Sequence, residues 1–204
     1  MAKKNIGVAP GTLVYTGKET DVRSKITLFQ YNQLSGDEID VKSVDQLDDL
    51  VNEKTNNWIN VVSLNQESVI ENVGNAFTVN RLLLEDVLNV NQLPKFEDFG
   101  EHIFVTLKMI RRVDTSGTIE DEHISFILGN HFLLSFQEKE GDVFEPVRQR
   151  LKVQTGKIRS RGIDYLLYAL LDAIIDNYLL VTKSLEEHIE NLEIEVFEIG
   201  RAHV

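Results

Sequence analysis

No cysteine occurs in the 204 residues. Disulfides, thiolate nucleophiles and sulfur-ligated metals are therefore excluded, and the composition fits a reducing compartment. Proline is scarce, at three residues, within a composition that is 42% hydrophobic and 26% charged, as in a soluble globular protein. Basic residues are the minority: 21 Lys and Arg face 33 Asp and Glu, for a net charge of −12. That balance argues against nucleic acid, whose phosphates need clustered cations, and suits a surface that attracts cations. No uninterrupted run of 18 or more apolar residues exists, so no membrane span is expected within these residues. The opening MAKKNIGVAPG has two lysines but no apolar h-region, which is not the pattern of a signal peptide. Catalytic signatures are also missing. The histidines, at 102, 123, 131, 188 and 203, are scattered, and HExxH, GxSxG, P-loop and GxGxxG patterns do not occur. The chain does not read as an enzyme.

What is present is a mixed pattern of strands and helices. The length suits one domain with a proper core, or one domain and an appendage. Leu13-Val-Tyr15 is a short strand candidate, followed by strands at 26–31 and 38–41 around the turn Leu34-Ser-Gly-Asp37. Ser43 with Gln46 predicts a capping box and a short helix to about Lys54. Trp58–Leu64 reads as a buried central strand, 66–77 and 80–89 as helices, and 95–98, 102–112, 119–128 and 131–137 as strands. Turns are expected at Asp114–Gly117 and Gly129-Asn130. This order predicts an α/β or α+β sheet layered with helices and not a Rossmann alternation.

After Asp142 the pattern is helical. Val143 to about Thr155 forms one helix, with Arg148, Arg150 and Lys152 expected to face outward. From Gly162 to Phe197 runs a single long amphipathic pattern, rich at first in leucine and isoleucine. Tyr165, Tyr168, Asp172 and Asp176 fall on one narrow stripe through it. Leu185, Ile189, Leu192, Val196 and Ile199 then form an a/d seam, which calls for a partner helix beyond this sequence. The closing GRAHV continues no pattern.

The segment Leu82–Met109, LLLEDVLNVNQLPKFEDFGEHIFVTLKM, concentrates the chemistry. An apolar helix ends on the carboxylate pair Glu85-Asp86, breaks before Leu93-Pro94 and restarts as a strand. Carboxylates near a helix C-terminus are unfavourable unless a metal ion, a Lys or Arg, or water compensates. Neighbours on a helix point about 100° apart, so these two could not chelate one ion unaided. Asp172 and Asp176 lie inside LLYALLDAIIDNYLL and must meet water, a donor or a cation. A solvent-facing stripe, or Tyr hydroxyls with Arg159 and Arg161, would also satisfy them.

The order LLLEDVLN, Gln92-x-Pro94-Lys-Phe-Glu97 and IFVTLKM resembles the cytoplasmic domain of the CorA family of magnesium and cobalt transporters. SFQEKEGDVFEPVRQRL (135–151) and DYLLYALLDAIIDNY (164–178) resemble further segments of that family. The resemblance runs from about Trp58 to Val196. It implies an αβα sandwich with a mixed, largely antiparallel sheet of about seven strands, followed by a long C-terminal helix. It divides the chain into an α/β domain over 1–160 and the start of a long helical region over 161–204. The stalk helix with a facing aspartate, the transmembrane helices and the Gly-Met-Asn signature are absent from this sequence.

The same resemblance implies a regulatory, metal-sensing role at the cytoplasmic face of the inner membrane. Mg2+ would bind between protomers of a homopentamer and favour its closed form. The matching ligands are Glu85, Asp86 and Asp172, hard oxygens that suit Mg2+ and could take Co2+, Ca2+ or Zn2+. Alternative expectations are the zinc-transporter branch of the family, or a metal-independent module whose acidic seam binds a helical partner. The chain by itself is expected to be soluble and monomeric or weakly associated.

Overall fold

The computed structural model describes residues 9–112, 118–153 and 156–202, with side chains through 197. The turn expected at Asp114–Gly117 lies outside the described residues. The first strands are β1 (Lys25–Tyr31) and β2 (Gly36–Val41), followed by α1 (Gln46–Leu50) and β3 (Asn56–Val62). Two helices follow, α2 (Glu67–Ala76) and α3 (Arg81–Leu88), and then β4 (Lys95–Asp98), β5 (Ile103–Arg112), β6 (Ile119–Leu128) and β7 (Phe132–Gln137). The chain continues through α4 (Glu145–Lys152), a 3-10 turn at Ile158–Ser160 and α5 (Ile163–Ala202).

The strands form one seven-stranded sheet in the order β2-β1-β3-β7-β6-β5-β4. Every neighbouring pair is antiparallel except β3 and β7, which run parallel, with Asn57 opposite Phe132 and Val62 opposite Gln137. Alternation along the strands sends side chains to two separate cores. On one face, Leu28, Ile59, Val61, Phe104, Ile127 and Phe136 pack with α2 and α3 through Ile70, Val73, Leu83, Leu84, Val87 and Leu88. On the other, Phe29, Trp58, Met109, Ile124 and Phe126 pack with α4 and α5 through Val147, Leu151, Leu166, Leu170 and Ile174. The architecture is therefore a sheet between two helix layers, as the family resemblance implies.

Trp58 anchors the second core. Its ring stacks on Phe29 at 5.6 Å, and its Nε1 donates to Ser135 Oγ at 2.8 Å across the parallel pair. Ser135 Oγ in turn donates to Asn60 Oδ1 at 2.6 Å, so the polar atoms of this buried patch satisfy one another.

Several expectations are corrected. Leu13–Tyr15 is not a strand. Ser43 does not cap a helix: Gln46 Oε1 accepts from Lys42 N–H at 2.9 Å, and α1 shrinks to a little over one turn. Arg148 does not face outward, because both guanidinium nitrogens close on Asp142, at 2.5 and 2.8 Å, and the group lies over Trp58 at 5.3 Å. Arg159 likewise turns in, holding the carbonyls of Leu151 and Lys152 at the end of α4.

By length and composition α5 could cross a membrane, with a mean hydropathy of 1.4 over its most apolar window. In this structure Leu166, Leu170 and Ile174 are wholly buried beneath it, as in a core helix. Its root is tied to β5 by Asn177 and Tyr178, whose side chains donate to the carbonyls of Ile110 and Lys108. Arg112 on β5 still donates to Ser184 Oγ at 3.4 Å; beyond it the helix leaves the sheet, and the seam residues Leu185, Ile189, Leu192 and Val196 are all exposed.

Candidate metal centre

α3 is fixed by its cap and its apolar face where it carries its carboxylates. Asn80 Oδ1 accepts from Leu82 N–H at 2.9 Å and caps the N-terminus. Four of its eight residues, Leu83, Leu84, Val87 and Leu88, are buried in the first core. Glu85 and Asp86 take the half-buried arc between them. The helix ends where Asn89 N–H reaches the carbonyls of Glu85 and Asp86, at 3.1 and 3.2 Å, well before Leu93-Pro94.

The last turn of α3 contains no basic residue, yet the acidic end is compensated. The chain turns back through residues 89–94 and delivers Lys95 from β4, whose Nζ sits 2.8 Å from Asp86 Oδ2 and 3.1 Å from Glu97 Oε2. Burial acts to lower the Lys95 pKa, but its hydrogen bonds to Asp86 and Glu97 outweigh this and the net shift is upward. Glu85 turns the other way, and its Oε2 accepts from Gly11 N–H at 2.6 Å. Gly11 has φ of +80°, a left-handed conformation natural to glycine. The second oxygens, Glu85 Oε1 and Asp86 Oδ1, take no hydrogen bond from another described residue.

Asp172 stands elsewhere. It is exposed on α5, one turn before the exposed Asp176 and one turn after Tyr168, whose ring lies 5.8 Å from that of Tyr165. Tyr168, Asp172 and Asp176 face solvent in the single chain, Tyr165 is half-buried against the second core, and Arg159 is committed to the end of α4. Because α3 and α5 cover opposite faces of the sheet, one chain does not gather Glu85, Asp86 and Asp172 into a site. Among the described residues no cluster of three or more His, Asp or Glu side chains could hold a metal ion. The donor set still fits a hard cation, since each carboxylate is a half-buried or exposed oxygen ligand.

Lys95 and Gly11 escape sequence reasoning. Neither is at helical or strand spacing from its partner, and only the folded turn at 89–94 and the course of residues 9–12 bring them in. The run Asn89-Val-Asn-Gln-Leu-Pro94 signals that the chain must turn, but not what it returns to.

Comparison with known proteins places the chain. A family model described as CorA-like Mg2+ transporter protein matches residues 53–203. The cobalt/magnesium transport protein CorA of Thermotoga maritima is 40% identical over 197 residues, covering 97% of this chain and 55% of that protein. The chain thus spans about half the length of this relative. Among solved structures, the soluble domain of CorA from Methanocaldococcus jannaschii superimposes with a TM-score of 0.61 at 17% identity, covering 83% of this chain and 64% of that one. The ZntB cytoplasmic domain from Vibrio parahaemolyticus gives 0.59 at 13% identity, covering 81% and 64%. These two show a shared fold. With the family model spanning most of the chain and the Thermotoga maritima protein matched nearly end to end of it, this chain belongs to the CorA-like Mg2+ transporter family, a family of transporters and not of enzymes.

Proposed function

We propose that this chain is the cytoplasmic, divalent-cation-sensing part of a CorA-type Mg2+/Co2+ transporter, acting as one protomer of a homopentamer at the inner membrane. The observation that carries the reading is the placement of its carboxylates. Asp172 is exposed on α5, Glu85 and Asp86 lie half-buried on α3, and the sheet separates them. Ligands that cannot meet within one chain can meet between two copies.

A bound Mg2+ would supply positive charge and a demand for six oxygen ligands, several of them water. The residues do the rest. Crowded at a boundary between copies, Glu85, Asp86 and Asp172 repel one another, and neutralising them favours the arrangement in which they face. A ligand shifts such an equilibrium only by its difference in affinity for the two states, so closure would be graded by cation concentration. Identity to a cobalt/magnesium transport protein favours Mg2+ and Co2+ as the ions sensed.

The test uses the full-length transporter in lipid nanodiscs, with limited proteolysis followed across Mg2+ concentration. Protection should rise with Mg2+ and require higher concentrations in Asp172→Ala. Identical protection curves for the two proteins would remove Asp172 from the sensor, and protection by Zn2+ alone would move the reading to a zinc transporter.

A further inference from the structure

The side chains of Glu122 on β6 and Gln137 at the end of β7 lie on the α5 side of the sheet, both among its most buried polar groups at 3% and 1% exposure. Gln137 is opposite Ile124 in the register, which makes Glu122 its diagonal neighbour on the same face, within reach for long side chains. Both close on one residue. Glu122 Oε2 accepts from Lys139 N–H at 2.9 Å, and Gln137 Nε2 donates to the Lys139 carbonyl at 2.9 Å. The two remaining oxygens, Glu122 Oε1 and Gln137 Oε1, are enclosed and have no hydrogen-bond partner among the described residues. Two buried acceptors and no donor is a costly arrangement.

We propose that Glu122 is a proton-binding site: its carboxyl carries a proton on Oε1 and donates it to Gln137 Oε1, strapping β6 to β7 and the segment after it. One proton converts two orphaned acceptors into a hydrogen bond and removes a buried charge. The surrounding charges do not replace it. Arg111 on β5 is divided between Glu120 Oε2, at 3.4 Å, and the Glu140 carbonyl, at 3.1 Å. The Lys139 ammonium reaches Glu120 at 3.8 Å, and Glu138 adds a second negative charge nearby while binding His123 N–H and the Tyr15 hydroxyl. From α5, Tyr178 donates its hydroxyl to the Lys108 carbonyl on the neighbouring strand. Burial, as the largest cause, raises the Glu122 pKa to about 7, with Glu138 adding to the shift and Lys139 and Arg111 opposing it. The folded chain then binds this proton more tightly than the unfolded one. The contribution is complete below the ordinary carboxyl value and is lost as pH rises to about 7.

The test has two readouts on the whole chain. The side-chain carboxyl carbon of Glu122, followed by NMR, should titrate within a unit of pH 7, and a midpoint below 5.5 would overturn the proposal. Glu122→Gln places an amide donor where the proton sits. Its melting temperature should rise above that of the unsubstituted chain progressively between pH 5 and 8, and taking the difference cancels every other titrating group. Parallel melting profiles across that range would show that Glu122 is ionised and solvated by internal water, and the proton site would be refuted. Should the variant not fold, the NMR midpoint decides alone.

Discussion

Lys95 and Asp86 form the pair on which the candidate site turns. Both side chains are 29% exposed, so the bridge contributes little to stability, about 0.5 kcal/mol once solvent screening is counted. On the proposed reading its effect on cations is larger, because an ammonium 2.8 Å from Asp86 competes with a cation for that carboxylate. Lys95→Gln should therefore raise Mg2+ affinity several-fold in calorimetric titration while leaving the melting temperature nearly unchanged; unaltered affinity would remove Asp86 from the ligand set. A second residue-scale expectation concerns His123. Its Nε2 lies 2.8 Å from Thr106 Oγ1 and 3.2 Å from Ser125 Oγ, and burial first, then the Lys108 charge, lowers its pKa to about 4. The unfolded chain takes up this proton as pH falls below about 6.5, and the folded chain resists until about 4. Stability is thus lost with acid over that window, by about 1–3 kcal/mol in all. Denaturant titrations at pH 7 and pH 4.5 should show a smaller acid loss for His123→Gln, and an unchanged loss would mean that the imidazole is solvated.

At the scale of elements, α2 and α3 meet through a glycine. A Cβ on Gly74 would stand 2.3 Å from Leu84 Cδ1, so Gly74→Ala must push α3 away or force Leu84 from its rotamer, at about 1–3 kcal/mol. Leu84 adjoins Glu85, so the variant should also weaken cation binding, which calorimetry would reveal beside the lowered melt. Elements with strong periodicity were legible in the sequence: α2, α3, α5 and β4 to β7 lie within a residue or two of their expected bounds, apart from the C-terminal end of α5. What was not legible depended on distant partners. Arg148 reads as an outward residue on its own helix, and only Asp142, placed by the loop before α4, turns it inward. The 3-10 turn at Ile158–Ser160 has no periodic signature, being set by the packing of Ile158 and by Arg159 closing α4. For the site, composition and spacing reached only the anomaly of acids in apolar helices. Glu85, Asp86 and Asp172 came together through family resemblance, and Lys95 could not be foreseen because its partnership exists only in three dimensions.

For the whole molecule, the proposed division of the site between copies implies weak binding by an isolated chain. With a dissociation constant on the order of millimolar, ~10 mM Mg2+ would stabilise it by only about 1–1.5 kcal/mol. Thermal melts at matched ionic strength check this, and saturation at micromolar Mg2+ would place a complete site inside one protomer. Asp172→Ala should leave the unfolding free energy within about 0.5 kcal/mol, since the residue is exposed and stands four positions from the like-charged Asp176. A collapse of the fold, seen by circular dichroism, would mark it as structural. The seam between β3 and β7 has a further consequence, for the order in which the chain assembles. It is the sheet's one parallel ladder among the described residues, and its side-chain links, Trp58 to Ser135 and Ser135 to Asn60, span 77 and 75 positions. The antiparallel strands on either side can pair early through shorter loops, but the two half-sheets become one only when this longest loop closes. The chain is then built like a clasp, in which two locally formed leaves wait on a single late contact. The rate of folding is expected to follow the search for that contact, more than the speed with which either leaf forms.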